Sequence, residues 1–528
     1  MADLARPPCE SAVALAIAPD TACAGRGTWV LAVTILGSSM AFIDGTVVNI
    51  ALPALQADLH AGINGVQWVV ESYALFLAAL LLTGGSLGDL FGRRKIFATG
   101  VLLFGAASIW CGLAHGLSEL IVARGVQGIG GALLLPNSLA LIGVSFSGAE
   151  RGRAIGTWSG FTAITTAIGP VLGGWLVEHA SWRWVFFINL PLAAAVIAIS
   201  VWRIPESRRA IAGRVDWLGA FLATVGLGGL VNGFIESVNL GWRNPLVLGS
   251  LIVGCGCLIA FAFVEANVTS PMLPLTLFES RSFSGANLLT LLLYAAIGIF
   301  FFLFPLDLIQ VQGYSATATG AAVLPLILLM FFLSRWSGGL VARYGPRGPL
   351  IIGPLFAALG FVLFAVPSFG DSYWKTFFPA VVVLGFGMAV AVAPLTTVVM
   401  NSANQDRVGT ASGINNAVAR VAGVLAIAIL GIVMVNAFAS RLNHRLAQLS
   451  LPPGVLQMLQ ADEIKLAGLQ VPPGLNLSTK AAVKESIGEA FVFGFRLVML
   501  ICAGLSLASA AVAWLMIPLD GDRPGLAA

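Results

Sequence analysis

At 528 residues, 58% of them hydrophobic and only 10% charged, the chain has too little polar covering for a soluble protein, where about 25% of residues are charged. Its net charge of +4 is spread over turns and not gathered on one face. This argues against nucleic acid as a partner and leaves membrane lipid as the solvent for the outer surface. The six cysteines show no metal-ligand spacing beyond Cys255-x-Cys257, so no metal site is expected and they read as small lipid-buried residues.

Residues 1–27 form a mildly polar tail without a cleavage pattern, so the first apolar run is expected to act as an uncleaved anchor. Charge-poor runs then give about fourteen spans. The first six lie near 28–50, 66–87, 96–114, 118–142, 154–177 and 184–202, and two more near 216–235 and 245–265. The last six lie near 284–308, 316–342, 349–368, 376–399, 408–437 and 490–517. Alternate connections carry the basic residues: Arg93, Arg94 and Lys95, then Arg151 and Arg153, then Arg203, Arg208, Arg209 and Arg214, then Arg281, Arg343, Arg347 and Arg407. The positive-inside bias puts those connections and both termini in the cytoplasm. A long opposite connection, 438–489, is polar and proline-punctuated, and reads as a solvated loop.

One turn is spelled twice. Gly85-Ser86-Leu87-Gly88-Asp89-Leu90-Phe91-Gly92-Arg93-Arg94-Lys95 follows the second span. Its match, at Gly85/Gly338, Leu87/Leu340, Gly92/Gly345 and Arg94/Arg347, follows the tenth, with Ala342 in the place of Asp89. Two copies of one helix-turn-helix imply a transporter built from two halves, with a helix pair inserted between them. The expected fold is therefore an all-α polytopic membrane protein: a six-helix bundle at 28–203, the inserted pair with linkers at 204–283, a second bundle at 284–517 including the 438–489 loop, and a cytoplasmic tail at 518–528.

A charge inside the bilayer is costly and needs a partner or a function. Asp44, counted from residue 28, is about 24 Å from the inner face at about 1.5 Å per residue. Arg124, whose span runs the other way, is about 9 Å below the outer face. Acid and base meet at one depth, and Glu71 falls near the same level. Burial disfavours a charged carboxylate while a neighbouring guanidinium favours it, so relative movement of the two can load or release a proton; a static pair fixing helix register is the other reading. Asp89, at the end of the second span beside Arg93 and Arg94, is a candidate gate latch. In Gly169-Pro170-Val171-Leu172-Gly173-Gly174, proline frees a carbonyl and the glycines permit tight packing. Asn49, Gln127 and Arg420 are candidate polar residues of a central cavity. Arg496 needs an acidic, carbonyl or water partner, and Asp307 is placed near the outer boundary as a solvated residue. No nucleotide-binding loop and no segment long enough for a catalytic domain is present, so no enzyme activity, catalytic residue or cofactor is expected.

Together these motifs resemble the major facilitator superfamily, and specifically its fourteen-helix drug:proton antiporter branch. The stretch Asp44 to Pro53 is similar to that branch's first-helix motif, Gly85 to Lys95 to the superfamily loop, Arg124 to Ala132 to the fourth-helix motif, and Gly169 to Gly174 to the antiporter motif. In the last, a glycine usual four positions upstream is replaced by Thr165. The resemblance covers about 28–517. It implies proton-driven export of amphipathic drugs or small metabolites by alternating access in a cell inner membrane, with the proton gradient as energy source. Asp44 and Arg124 would couple protons, with Glu71 a further candidate from its depth alone, and Gly85, Asp89, Gly92, Arg93, Arg94, Gly338, Gly345 and Arg347 would form the gating loops. A small molecule, protons and lipid are the implied partners, with room for a periplasmic adaptor. A dedicated exporter or importer of one metabolite, or a non-transporting membrane sensor, remain the alternatives.

Overall fold

The structure, a computed structural model, describes residues 21–518 apart from 147, 208–214, 269–270, 368, 371, 403–407, 450 and 472–474. Most of the two expected tails and the loop cations Arg208, Arg209, Arg214 and Arg407 lie outside the described residues. Among the described residues, thirteen helices are long and apolar enough to cross a membrane. The remaining expected span, 154–177, is contained in the 32-residue helix Gly148–His179. Helices are what hydrocarbon demands, because a helix satisfies its own backbone groups where no water can.

The helices are α1 (Thr21–Asp58), α2 (Ile63–Phe91), α3 (Arg93–Leu113), α4 (Leu117–Ser145) and α5 (Gly148–His179), then α6 (Trp184–Arg203). There follow α7 (Trp217–Leu240), α8 (Pro245–Asn267) and α9 (Arg281–Leu306). Helix α10 is broken into Ala316–Ala322 and Leu324–Tyr344. The chain ends with α11 (Arg347–Phe364), α12 (Phe378–Asn401), α13 (Val408–Leu446) and α14 (Leu477–Met516).

The packing repeats with an offset of eight helices. In the first set α2 and α3 pack on α4, α1 on α5 and α6, and α3 on α6; in the second α10 and α11 pack on α12, α9 on α13 and α14, and α11 on α14. The pair α7–α8 packs on itself, and α7 rests on both α2 and α13. The two sets meet along α5–α10 and α2–α13, which are each other's counterparts under the same offset.

The repeated turns close one end, called here the turn face. Gly92 has φ 112° and Gly345 φ 74°, values that only glycine adopts without strain. Each turn is also tied to the sixth helix of its own set. Arg94 Nη1 donates to the Ile204 carbonyl at 2.9 Å, and Arg347 Nη2 to the Trp514 carbonyl at 2.5 Å. The other glycines of the motif differ from expectation. Gly85 has only ordinary contact with Pro136, and Gly338 faces open space; the close approaches are at Gly84, against the Ala132 backbone, and Gly88, against Asn137.

The opposite end, the loop face, corrects the reading of 438–489 as solvated. Helix α13 continues to Leu446 and α14 begins at Leu477, held together beyond the apolar run by an Arg445–Glu489 ion pair. Hydropathy marked only the most apolar parts of these helices. The connection between them is ordered, with a helix at Pro453–Ala461 and a tight turn at Glu463–Gly468. Leu459, Leu466 and Leu469 are buried in the main core. Gln56 at the end of α1 donates to the Lys465 carbonyl and accepts from Gln310 beyond α9, so this connection braces both sets. Asp307, expected in solvent, is 1% exposed at the start of the wide turn Asp307–Val311 that follows Pro305.

Candidate functional site

Asp44 and Arg124 meet inside the first set of helices and are 0% and 1% exposed. Arg124 Nη1 donates to Asp44 Oδ2 at 2.5 Å and to Gln127 Oε1 at 2.6 Å, and its Nε donates to the Val69 carbonyl at 3.1 Å. The guanidinium lies over the Tyr73 ring at 4.3 Å and near Phe186 at 5.7 Å. The other carboxylate oxygen, Oδ1, accepts from Gln127 Nε2 at 2.8 Å and from Asn189 Nδ2 at 3.5 Å. Ser108 Oγ accepts from both of those amides, at 2.9 and 3.2 Å. Five helices, α1, α2, α3, α4 and α6, thus converge on one carboxylate. A buried ion pair is tolerated only when its remaining hydrogen-bonding capacity is satisfied in this way.

The sequence brought Asp44 and Arg124 to one depth, and the structure brings them into contact. Gln127 belongs to this sealed network and not to a cavity, because it is three residues from Arg124 and shares its helix face. Ser108 had no sequence signal of its own and read as an ordinary small polar residue in an apolar run. Glu71 shares the depth but not the site. Arg124 touches Val69 and Tyr73, each two residues from Glu71, and two helical steps turn a side chain by about 200°. Glu71 therefore points to the opposite side of α2. Asn49, half-buried, donates weakly to the Gly45 carbonyl, and Arg420 is half-buried on α13 near Tyr73. Arg496 meets the Val366 and Pro367 carbonyls after α11.

In the turn, Asp89 pairs with Arg93 of the same loop at 2.7 Å. Besides the Arg94–Ile204 bond, a further contact from the turn to another element is made by Glu206 beyond α6. Its two oxygens accept from the backbone N–H groups of Arg94 and Lys95 at 3.0 and 3.1 Å, capping the start of α3 where the helix dipole favours an anion. Glu206 was missed in the sequence because nothing in the spacing of a linker carboxylate reveals a cap more than a hundred residues away. Removing a cap costs about 0.5–2 kcal/mol. Glu206→Ala is accordingly expected to speed trypsin cleavage at Arg93, Arg94 and Lys95 in the purified protein.

The glycines of α5 divide their work. A Cβ on Gly169 would strike Thr46, and one on Gly173 would strike Val47, both on α1. Gly174 faces the backbone of Ala316 and Thr317, and Gly320 in turn faces the Pro170 carbonyl. These are backbone-to-backbone approaches between the two sets near the loop face. Further along the same seam α5 and α10 enclose an apolar cleft of about 710 Å³ lined by Ile164, Ile168, Val171, Leu328, Phe331 and Phe332 among others.

Two pseudo-symmetric helical sets, an inserted pair and a polar pair sealed within one set describe a multi-pass membrane transporter. The chain belongs to the major facilitator superfamily, whose model matches residues 34–427. It is 33% identical over 506 residues to the tetracenomycin C resistance and export protein of Streptomyces glaucescens, covering 94% of this chain and 92% of that one. It is 37% identical over 450 residues to a puromycin resistance protein of Streptomyces alboniger, covering 83% and 88%. Among solved structures it resembles a bacterial homologue of the human lysosomal transporter Spinster, with a TM-score of 0.62 at 15% identity, covering 93% and 98%.

Proposed function

We propose that this chain is a proton-coupled exporter of amphipathic small molecules that works by alternating access, lying in a cell inner membrane with its turn face and both termini in the cytoplasm. The observation that carries the coupling is the sealed Asp44–Arg124 pair. A carboxylate held by three donors from α4 and α6 changes partners if α1 moves, and each change alters its hold on a proton. Export of drug-like compounds follows from the relatives named for antibiotic resistance and export. The contacts of Gly174 and Gly320 close the seam at the loop face, which fits a state open toward the cytoplasm.

The test is a proteoliposome assay with an imposed pH gradient and a panel of lipophilic cations and acidic metabolites. A coupled exporter gives substrate-dependent proton movement that collapses with the gradient. Substrate flux that ignores the gradient, or none with any compound, would sink this reading.

A further inference from the structure

Glu71 is 0% exposed, and neither of its carboxylate oxygens has a hydrogen-bond partner. Its surroundings come from three elements. Trp68 and Ala74 of α2 pack with Val231 and Ile235 of α7 and with Val424 and Ala428 of α13. On the same helix Leu75 packs with Leu227 of α7, Leu258 of α8 and Val421 of α13. Glu71 stands between these two apolar clusters. One and two turns nearer the loop face, the same side of α2 carries Gln67 and Asn64. These donate to the Ile427 carbonyl of α13 at 3.3 Å and to the Ile235 carbonyl of α7 at 2.8 Å.

No charge compensates Glu71 among the described residues. On α13 the charged group at this depth is Arg420, which is felt by Tyr73 on the other side of α2. On α7 it is Glu236, which shares no hydrogen bond or ion pair with Glu71. On α8 Glu265 is bonded to the Leu273 N–H. A carboxylate ion here would stand unpaired in apolar packing within a membrane span, which is prohibitively costly, whereas the neutral acid fits.

The position matters because α2–α13 is one of the two seams between the helical sets, and α7 covers it. If the sets rock, this seam and α5–α10 must part together at the end that opens, since both are packed near the loop face in one state, through Gln67–Ile427 and Gly174–Ala316. We propose that Glu71 is a second proton carrier, separate from the Asp44–Arg124 pair and gated by the α2–α7–α13 junction. With the junction packed, Glu71 holds its proton. When the seam opens toward one compartment the ionised carboxylate takes a proton from the water there, and when it opens toward the other the O–H bond breaks and the proton passes to the water admitted on that side. This rests on the proton-coupled reading above and adds one proton to each cycle.

Two measurements test it. Infrared difference spectra between neutral and alkaline pH are expected to show the carbonyl stretch of a protonated carboxylic acid in the wild-type protein. That band should shift in Glu71→Asp and vanish in Glu71→Gln, an isostere of the neutral acid that preserves packing. In proteoliposomes, Glu71→Gln is expected to move one proton fewer per substrate than wild type. A coupled wild-type protein without the band, or a proton count unchanged in Glu71→Gln, overturns the role of Glu71 alone. A wild-type protein that shows the band but moves no protons overturns the coupled reading, and the carrier role with it.

Discussion

Asp44→Asn is expected to abolish proton-driven efflux in a protein that still inserts into the membrane. Asparagine has the shape of aspartate but not its two acceptors. Asp44 Oδ2 accepts from Arg124, and Oδ1 from Gln127 and Asn189. An asparagine can turn its oxygen to Arg124 only by setting its own NH₂ against the NH₂ groups of Gln127 and Asn189. Flipping Gln127 does not help, because its oxygen is already used by Arg124. One donor is left unpaired, at a cost of about 1–3 kcal/mol, and the guanidinium loses its counter-ion. Breaking a buried pair by removing one partner typically costs about 3–5 kcal/mol, equivalent to roughly two to three and a half orders of magnitude in an equilibrium. The readout is substrate-dependent proton movement in proteoliposomes, with insertion checked by size-exclusion profile. Retention of full coupled efflux by an inserted Asp44→Asn protein removes Asp44 from the mechanism.

The parts of this site differ in how far the sequence revealed them, and the reason is physical. A charge in an apolar run is conspicuous, and the rise per helical residue converts its position into depth. That was enough to pair Asp44 with Arg124. Depth says nothing about azimuth until the packing partners of a helix are known, which is why Glu71 looked like a neighbour of the pair although it faces away. Gly92 and Gly345 were legible because a basic turn between two spans must reverse direction. Ser108 and Glu206 were not, since each acts on a distant element and neither departs from the composition around it. The loop-face connection was misjudged for a related reason: its proline pairs and charges suggested water, while Leu459, Leu466 and Leu469, which bury it against both sets, are too sparse to form a pattern.

The second large effect is expected at the other seam. Gly174→Leu should trap the transporter with its loop face unable to close, leaving substrate binding intact and net transport near background. The carbonyl of Ala316 occupies the space a Cβ on Gly174 would need, and the Thr317 backbone stands beside it at 2.7 Å. Backbone atoms cannot rotate aside as a side-chain tip can, so α5 and α10 must separate to admit the new atoms. Separation there also breaks the Glu178–Thr317 hydrogen bond of 2.6 Å that crosses the seam one turn further out. Gly320→Leu should behave alike, since its own Cβ would meet the Pro170 carbonyl. Gly256→Leu is the control, because that glycine is exposed on α8 and a Cβ there would meet nothing within 4 Å. Accessibility of cysteines placed at Thr317 and Val177 to an impermeant thiol reagent reads the state of the seam. Both are expected to label faster in Gly174→Leu than in wild type, and at the wild-type rate in Gly256→Leu. Unchanged labelling together with normal transport in Gly174→Leu would mean that this close approach is not what closes the loop face.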